Sequence, residues 1–156
     1  MSLGIRLLAA CLITVAATAV AAADAYEPQK VVYHVNYYDA QQQAGALRNI
    51  QNHINAVGAE NLEVQVVMHG NGVSLLLPPD EVEGTKMKAG NADAEMQARI
   101  AGLKQQGVAF RVCANTLKGR EIDPMALYDT DEEDIVPSGV AELSKLQAEG
   151  FTYLKP

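Results

Sequence analysis

The chain has 156 residues, with 19 acidic against 12 basic side chains and a formal net charge of −7. That balance argues against a nucleic-acid partner, which would want a basic patch. With no tryptophan and few aromatic residues, stacking platforms for bases or sugars are poorly supplied too.

The N-terminus reads as a secretory signal. Arg6 supplies a positive start, Leu7 to Val20 is uncharged and apolar, and small residues offer cleavage sites at Ala21-Ala22-Ala23 or Ala23-Asp24-Ala25. The run is shorter than the roughly 20 strongly apolar residues of a membrane span, and alanine and threonine dilute it. Residues 1–25 are therefore expected to be a cleaved signal and 26–156 a single domain. A periplasmic or secreted location follows, with no membrane attachment after cleavage. Leu8-Ala9-Ala10-Cys11 resembles a lipobox, but most of the apolar core follows Cys11, so that cysteine is expected to leave with the signal.

What remains is about 130 residues, enough to bury a core without staples. Cys113 is then the sole cysteine, so no internal disulfide forms even where the compartment allows one. An unpaired thiol in an exported chain points to reactivity or to an intermolecular bond.

Lys30 to Asn36 is a β-rich run of buried-strand type, broken by Asn36-Tyr37-Tyr38-Asp39. A helix follows with Leu47, Ile50, Ile54 and Val57 on one face and Gly58 at its end. His53, beside Ile54, is placed on the helix surface. Leu62 to His69 is a second strand, closed by Gly70-Asn71-Gly72. Val73 to Leu77 is a short apolar patch before Pro78-Pro79, suited to a subunit contact.

After an acidic loop, Asp80 to Gly90, either Asn91 or Asp93 caps a helix with Met96, Ile100 and Leu103 on its inner face. Gly107 ends that helix, and Val108 to Val112 forms a third strand running into Cys113. Asp123 to Asp134 is irregular, and its acidic run Asp131 to Asp134 reads as a solvated loop. Ile135-Val136 is a very short fourth strand. Ser138 caps a last helix bearing Val140, Leu143 and Leu146. Gly150 ends it, and Phe151 to Leu154 is a terminal strand.

Helix, glycine, strand recurs at Gly58, Gly107 and Gly150. Such alternation predicts an α/β fold, a mostly parallel sheet of about five strands flanked by helices. Right-handed crossovers then bring every strand C-terminus to one edge, where ligands gather. His34, Asn36, Tyr37 and Tyr38 end the first strand; His69, Gly70, Asn71 and Gly72 the second; Cys113, Asn115 and Thr116 the third. A thiol there ionises more readily at a helix start or beside Lys118 and Arg120. The turn at Gly70-Asn71-Gly72 offers backbone N–H groups to an anion. Against this stand bland readings: Cys113 as core filler, and His34 as a hydrogen-bonded core histidine.

Lys-Val-Val-Tyr-His-Val, Val-Val-Met-His-Gly and Gly-Val-x-Phe-x-Val-Cys-Ala-Asn-Thr-Leu-Lys-Gly-Arg resemble the DsrE/DsrF-like sulfur-relay family. So does the ending Pro-Ser-Gly-Val-Ala-Glu-Leu to Phe-x-Tyr-Leu-Lys-Pro. The resemblance implies a flavodoxin-like three-layer sandwich, usually assembled as trimers or hexamers. It also implies a persulfide-carrying cysteine after the third strand, in a segment Cys-x-x-x-Leu-x-x-Gly. Cys113 and Leu117 match that segment, with Gly119 one place early. The well-understood relay members work in the cytoplasm, whereas this chain reads as exported.

The expected function is a sulfur carrier or sulfurtransferase-like protein that accepts sulfane sulfur on Cys113 and passes it to a partner thiol. His69, Gly70, Asn71, Asn115, Lys118 and Arg120 would bind substrate or anion. No cofactor is called for. Partners would be further copies of the chain and sulfur donors and acceptors, whether proteins or small sulfur anions. Two alternatives stay open. One is a soft-metal module on His34, His69 and Cys113; the other is a non-catalytic oligomeric interaction protein.

Overall fold

The computed structural model describes residues 26–156, so the signal reading of residues 1–25, Cys11 included, lies outside them. Five strands form one all-parallel sheet: β1 (Gln29–Val35), β2 (Leu62–Met68), β3 (Ala109–Cys113), β4 (Ile135–Val136) and β5 (Thr152–Leu154). Their order across the sheet is β4-β3-β2-β1-β5. Four helices connect them: α1 (Ala40–Val57), α2 (Ala94–Lys104), α3 (Ala114–Arg120) and α4 (Gly139–Ala148). This is the expected α/β flavodoxin-like sandwich.

One face of the sheet packs Val31, Tyr33, Val35, Val64, Val66, Phe110 and Val112 against the inner sides of α1 and α2. The apolar periodicity of α1 is realised at Leu47, Ile50, Ile54 and Val57. Asp39 starts α1 by accepting a 2.7 Å bond from the Gln42 N–H. Asp93, not Asn91, caps α2, accepting from Met96 at 2.9 Å. Asn91 instead donates to the Tyr38 carbonyl at 2.7 Å and to Gln43 Oε1 at 2.8 Å. Gln43 is fully buried, and it donates in turn to the Tyr37 carbonyl and to Ser74 Oγ. Burying these polar groups is tolerable because each is paired. Tyr37 and Tyr38 pack on this core, away from the thiol; the Tyr37 hydroxyl is buried without a partner.

Three local expectations are corrected. Val73 to Leu77 is not a surface patch: Val73, Leu75 and Leu77 are at 0% exposure, inside the main core. The segment folds inward through a 3₁₀ turn, Gly70–Leu75, which is possible because Gly72 lies against the β1 backbone. A Cβ at Gly72 would fall 2.0 Å from the Val35 carbonyl oxygen. His53 is not a free surface residue, since Tyr33 Oη and Gln29 Oε1 lie 3.0 and 2.8 Å from its ring nitrogens. Val140 is not on the packed face of α4; it is 65% exposed.

The opposite face is covered by α4, with Val32, Val67, Leu143, Leu146 and Phe151 as its core. The acidic run is only partly solvated. Asp134 is buried and holds β3 and α2 together by accepting from Arg111 at 3.3 Å and Lys104 at 3.5 Å. Among the described residues no helix is long and apolar enough to cross a membrane.

Candidate functional site

The strand register places the candidate residues. Met68 pairs with Val112, so His69 and Cys113 come next on adjacent strands and point to the α4 face. His34 on β1 pairs with Val67, two residues before His69 on that same face. Three residues scattered through the sequence thus meet under the start of α4. Gly139, its first residue, makes the approach possible. A Cβ there would lie 3.0 Å from His69 Cβ and 3.2 Å from Cys113 Cβ.

Cys113 ends β3 and serves as the N-cap of α3. It is 5% exposed, yet it belongs to neither apolar cluster. Burial pushes its thiol up, but four donors more than offset that. The Gly139 N–H, the Thr116 hydroxyl and the N–H groups of Thr116 and Asn115 each lower it. The net result lies below the ordinary thiol value, as expected where hydrogen bonds favour the charged form. The donors are amides and a hydroxyl. No cation is among the causes.

The other expected groups are placed as follows. Gly70 donates its N–H to Thr116 Oγ1 at 2.8 Å, fixing the hydroxyl that faces the thiol. Asn71 Oδ1 accepts from Arg120 at 3.1 Å, and Arg120 also donates to the Lys86 carbonyl. Lys118 and Asn115 have exposed side chains. The Gly72 N–H donates to the His69 carbonyl at 3.0 Å. The Gly70 N–H is therefore spent on Thr116 of α3 and the Gly72 N–H inside the turn; the α3 start and Gly139 supply the groups that lower the thiol.

His34 and His69 are bonded to each other, Nε2 to Nε2 at 2.7 Å, with their rings stacked at 4.7 Å. Tyr153 Oη sits 2.6 Å from His34 Nδ1. Burial, then His69, then Lys155 hold His34 down at about 4; burial and Lys155 lower His69 as well. Both rings are neutral at pH 7. This corrects the soft-metal alternative: the two imidazoles spend their facing nitrogens on one another. Among the described residues no three His, Cys, Asp or Glu side chains are grouped to hold an ion.

Sequence reading placed Cys113, His69 and Thr116 at one edge but left out Gly139 and Tyr153 as parts of the site. Gly139 stood in plain view after the capping Ser138, with no signal that it packs on a thiol. Tyr153 lies 119 residues from His34, on an edge strand, and no spacing rule joins them.

A family model described as DsrE, the DsrE/DsrF-like family, matches residues 29–156. Among solved structures the chain is similar to MTH1491, a protein of unknown function from Methanobacterium thermoautotrophicum. The TM-score is 0.65 and the identity 27%, covering 82% of this chain and 99% of that one. It is also similar to the ychN protein from E. coli, with a TM-score of 0.57 and 18% identity over 84% of this chain and 100% of that one; this likeness is one of fold. No curated protein matches.

Proposed function

The chain belongs to the DsrE/DsrF-like family, generally related to sulfur relay, and from that premise we propose that it carries sulfane sulfur as a persulfide on Cys113. The observation that carries this reading is the place of Cys113, at the C-terminal end of β3, at the start of α3 and against Gly139 of α4; nearby amides and a hydroxyl hold its thiol below the ordinary value, which favours the thiolate needed for attack. With a thiosulfate-type donor, the thiolate attacks the outer sulfur, the S–S bond breaks, and sulfite leaves with the electron pair. The same amides then face the new Cys113 persulfide. An acceptor thiolate attacks its outer sulfur, and the Cys113 thiolate departs. No cofactor enters either step.

Location and assembly are part of the same proposal: an exported, periplasmic or secreted chain forming a homotrimer or homohexamer. N-terminal sequencing of protein from the cell envelope tests the first, with Asp24 or Tyr26 expected as the first residue. Light scattering tests the second.

The carrier reading is tested by intact mass after polysulfide or thiosulfate treatment. A reducible gain of one sulfur atom is expected on the natural chain and none on Cys113→Ser. An unmodified natural chain, or the same gain on the variant, sinks it. The non-catalytic alternative has lost its main support, because Val73 to Leu77 lies in the core.

A further inference from the structure

On the edge strand β5, Tyr153 pairs with Val32 and so shares its side of the sheet, the α4 face. From the helix, Val140, Leu143, Ser144 and Gln147 look back at it, an i, i+3, i+4, i+7 stripe of α4. Between strand and helix lies a recess of about 470 Å³ that His34 and His69 also line. That is about fifteen times a water's share of liquid volume, more than a bare oxyanion fills.

The chain has a net charge of −7, yet no carboxylate is among the described residues that line this recess. The larger recess at the other end of the same sheet face differs: Glu63, Asp134, Glu142 and Glu149 take part in lining it. Here the polar groups are the Tyr153 and Ser144 hydroxyls, the Gln147 amide and the two imidazoles, all uncharged at pH 7. Lys155 follows two residues after Tyr153, and its charge acts on both rings. Val140, 65% exposed, and Leu143 make the rest of the wall apolar.

We propose that this recess binds a small organic anion, a carboxylate or sulfonate on a short aliphatic body, with the oxyanion at Tyr153 and Lys155 and the body against Val140 and Leu143. The hydrogen bonds behind Tyr153 then acquire a direction. A neutral imidazole has one N–H and one lone pair. For the phenol O–H to reach the anion, its oxygen must accept from His34 Nδ1–H, across 2.6 Å. His34 Nε2 is then a lone pair, and it accepts from His69 Nε2–H across 2.7 Å. An anion therefore selects the Nδ1–H tautomer of His34 and the Nε2–H tautomer of His69. A hydrogen-bond-donating ligand at Tyr153 selects the opposite pair. Binding needs no reaction at Cys113, so the site stands apart from the carrier reading.

Butanoate is the probe, titrated into the natural chain at pH 7 while NMR follows the ring signals of the histidines. Those of His34 and His69 should shift together and saturate, with Kd about millimolar for so small a ligand. His53, held by Tyr33 and Gln29 on the other side of the sheet, should stay still. Butanamide, which lacks the charge, and sulfate, which lacks the body, should each bind about tenfold more weakly at the same ionic strength. Tyr153→Phe and Lys155→Gln should each weaken butanoate about three- to tenfold. Both side chains are exposed, so neither change threatens the fold. Shifts that never saturate, an equal shift at His53, or butanamide or sulfate binding as well as butanoate would overturn the proposal. So would nitrogen-15 spectra of the loaded protein with His34 as Nε2–H and His69 as Nδ1–H. Butanoate carries no sulfur, so persulfide formation is scored separately by mass. Binding without a persulfide keeps this site and removes the carrier reading; a persulfide without binding does the reverse.

Discussion

Under α1 and α2 the inward side chains of β1, β2 and β3 are apolar along the whole strand, from Val31 to Val35 and from Val64 to Met68. Under α4 the character changes halfway along. The C-terminal half presents Val32, Val67, His34, His69 and Cys113, while the N-terminal half presents Lys30, Glu63, Gln65 and Arg111 to a recess of about 800 Å³. A parallel sheet is ordinarily covered on both faces. Here only α4 serves the second face, and it reaches only the end where the thiol lies. The first face holds the fold together, and the second is divided between a small reactive patch and a charged, open floor.

If that division is right, truncations on the two faces differ in kind. Phe110→Ala, at 1% exposure under α1 and α2, should cost about 3–5 kcal/mol, read from urea denaturation. A cost below about 1 kcal/mol would mean that this face is not the stabilising one. Gly139→Ala acts on the other face, and two effects oppose each other. Alanine favours the helix by up to about 1 kcal/mol, but its Cβ crowds His69 and Cys113 at 3.0 and 3.2 Å. Overpacking of this sort costs about 1–3 kcal/mol, so a net loss near 1 kcal/mol is expected. The larger change is chemical. Moving the Gly139 N–H off the sulfur removes a donor that lowers the thiol, and alkylation of Cys113 at neutral pH should slow about three- to tenfold. Unchanged labelling would break the assignment of this end of the sheet to thiol chemistry.

The histidines, two on this face and His53 on α1, also predict an acid response. All three histidines are depressed in the folded chain, chiefly by burial. A histidine pushed below its unfolded value of about 6.5 binds fewer protons folded than unfolded between the two values. Its stabilising contribution is therefore complete above about pH 6.5 and is lost as the pH falls toward about 4, the value for His34. Urea midpoints should fall between pH 7 and pH 4.5, less steeply in His34→Gln. Equal slopes in the two proteins would show that His34 does not couple to folding.

The sheet, its helices and the site's core were legible because they rest on local rules. Periodicity marked α1 and α2, glycines marked the helix ends, and a β-rich run ending in a thiol marked β3. Elsewhere a local rule lost to tertiary contact. Val73 to Leu77 looked like a surface patch because two prolines follow it, yet Gly72 lets it turn into the core. Lys118 and Arg120 looked like partners for the thiol because they are close in sequence. On α3, however, Lys118 has an exposed side chain and Arg120 bonds Asn71. The Tyr153–His34–His69 chain joins three strands, and only the folded order β2-β1-β5 brings them side by side.

The charged half of the α4 face allows the finest test, because there the expected effect is close to nothing. Lys30 and Glu63 meet at 3.0 Å on adjacent strands, each about half-exposed at 52% and 50%. Water and salt screen a pair of that kind, and ordering two long side chains offsets much of the attraction. Glu63→Gln should change stability by less than about 1 kcal/mol, and a double-mutant cycle with Lys30→Gln should give coupling of about 0.2–1 kcal/mol that shrinks in high salt. Cys113 labelling should not change, since neither residue lies at the thiol end of its strand. Strong coupling that survives salt would mean that this floor is covered in the working protein. The split between a stabilising face and an open one would then belong to the isolated chain alone.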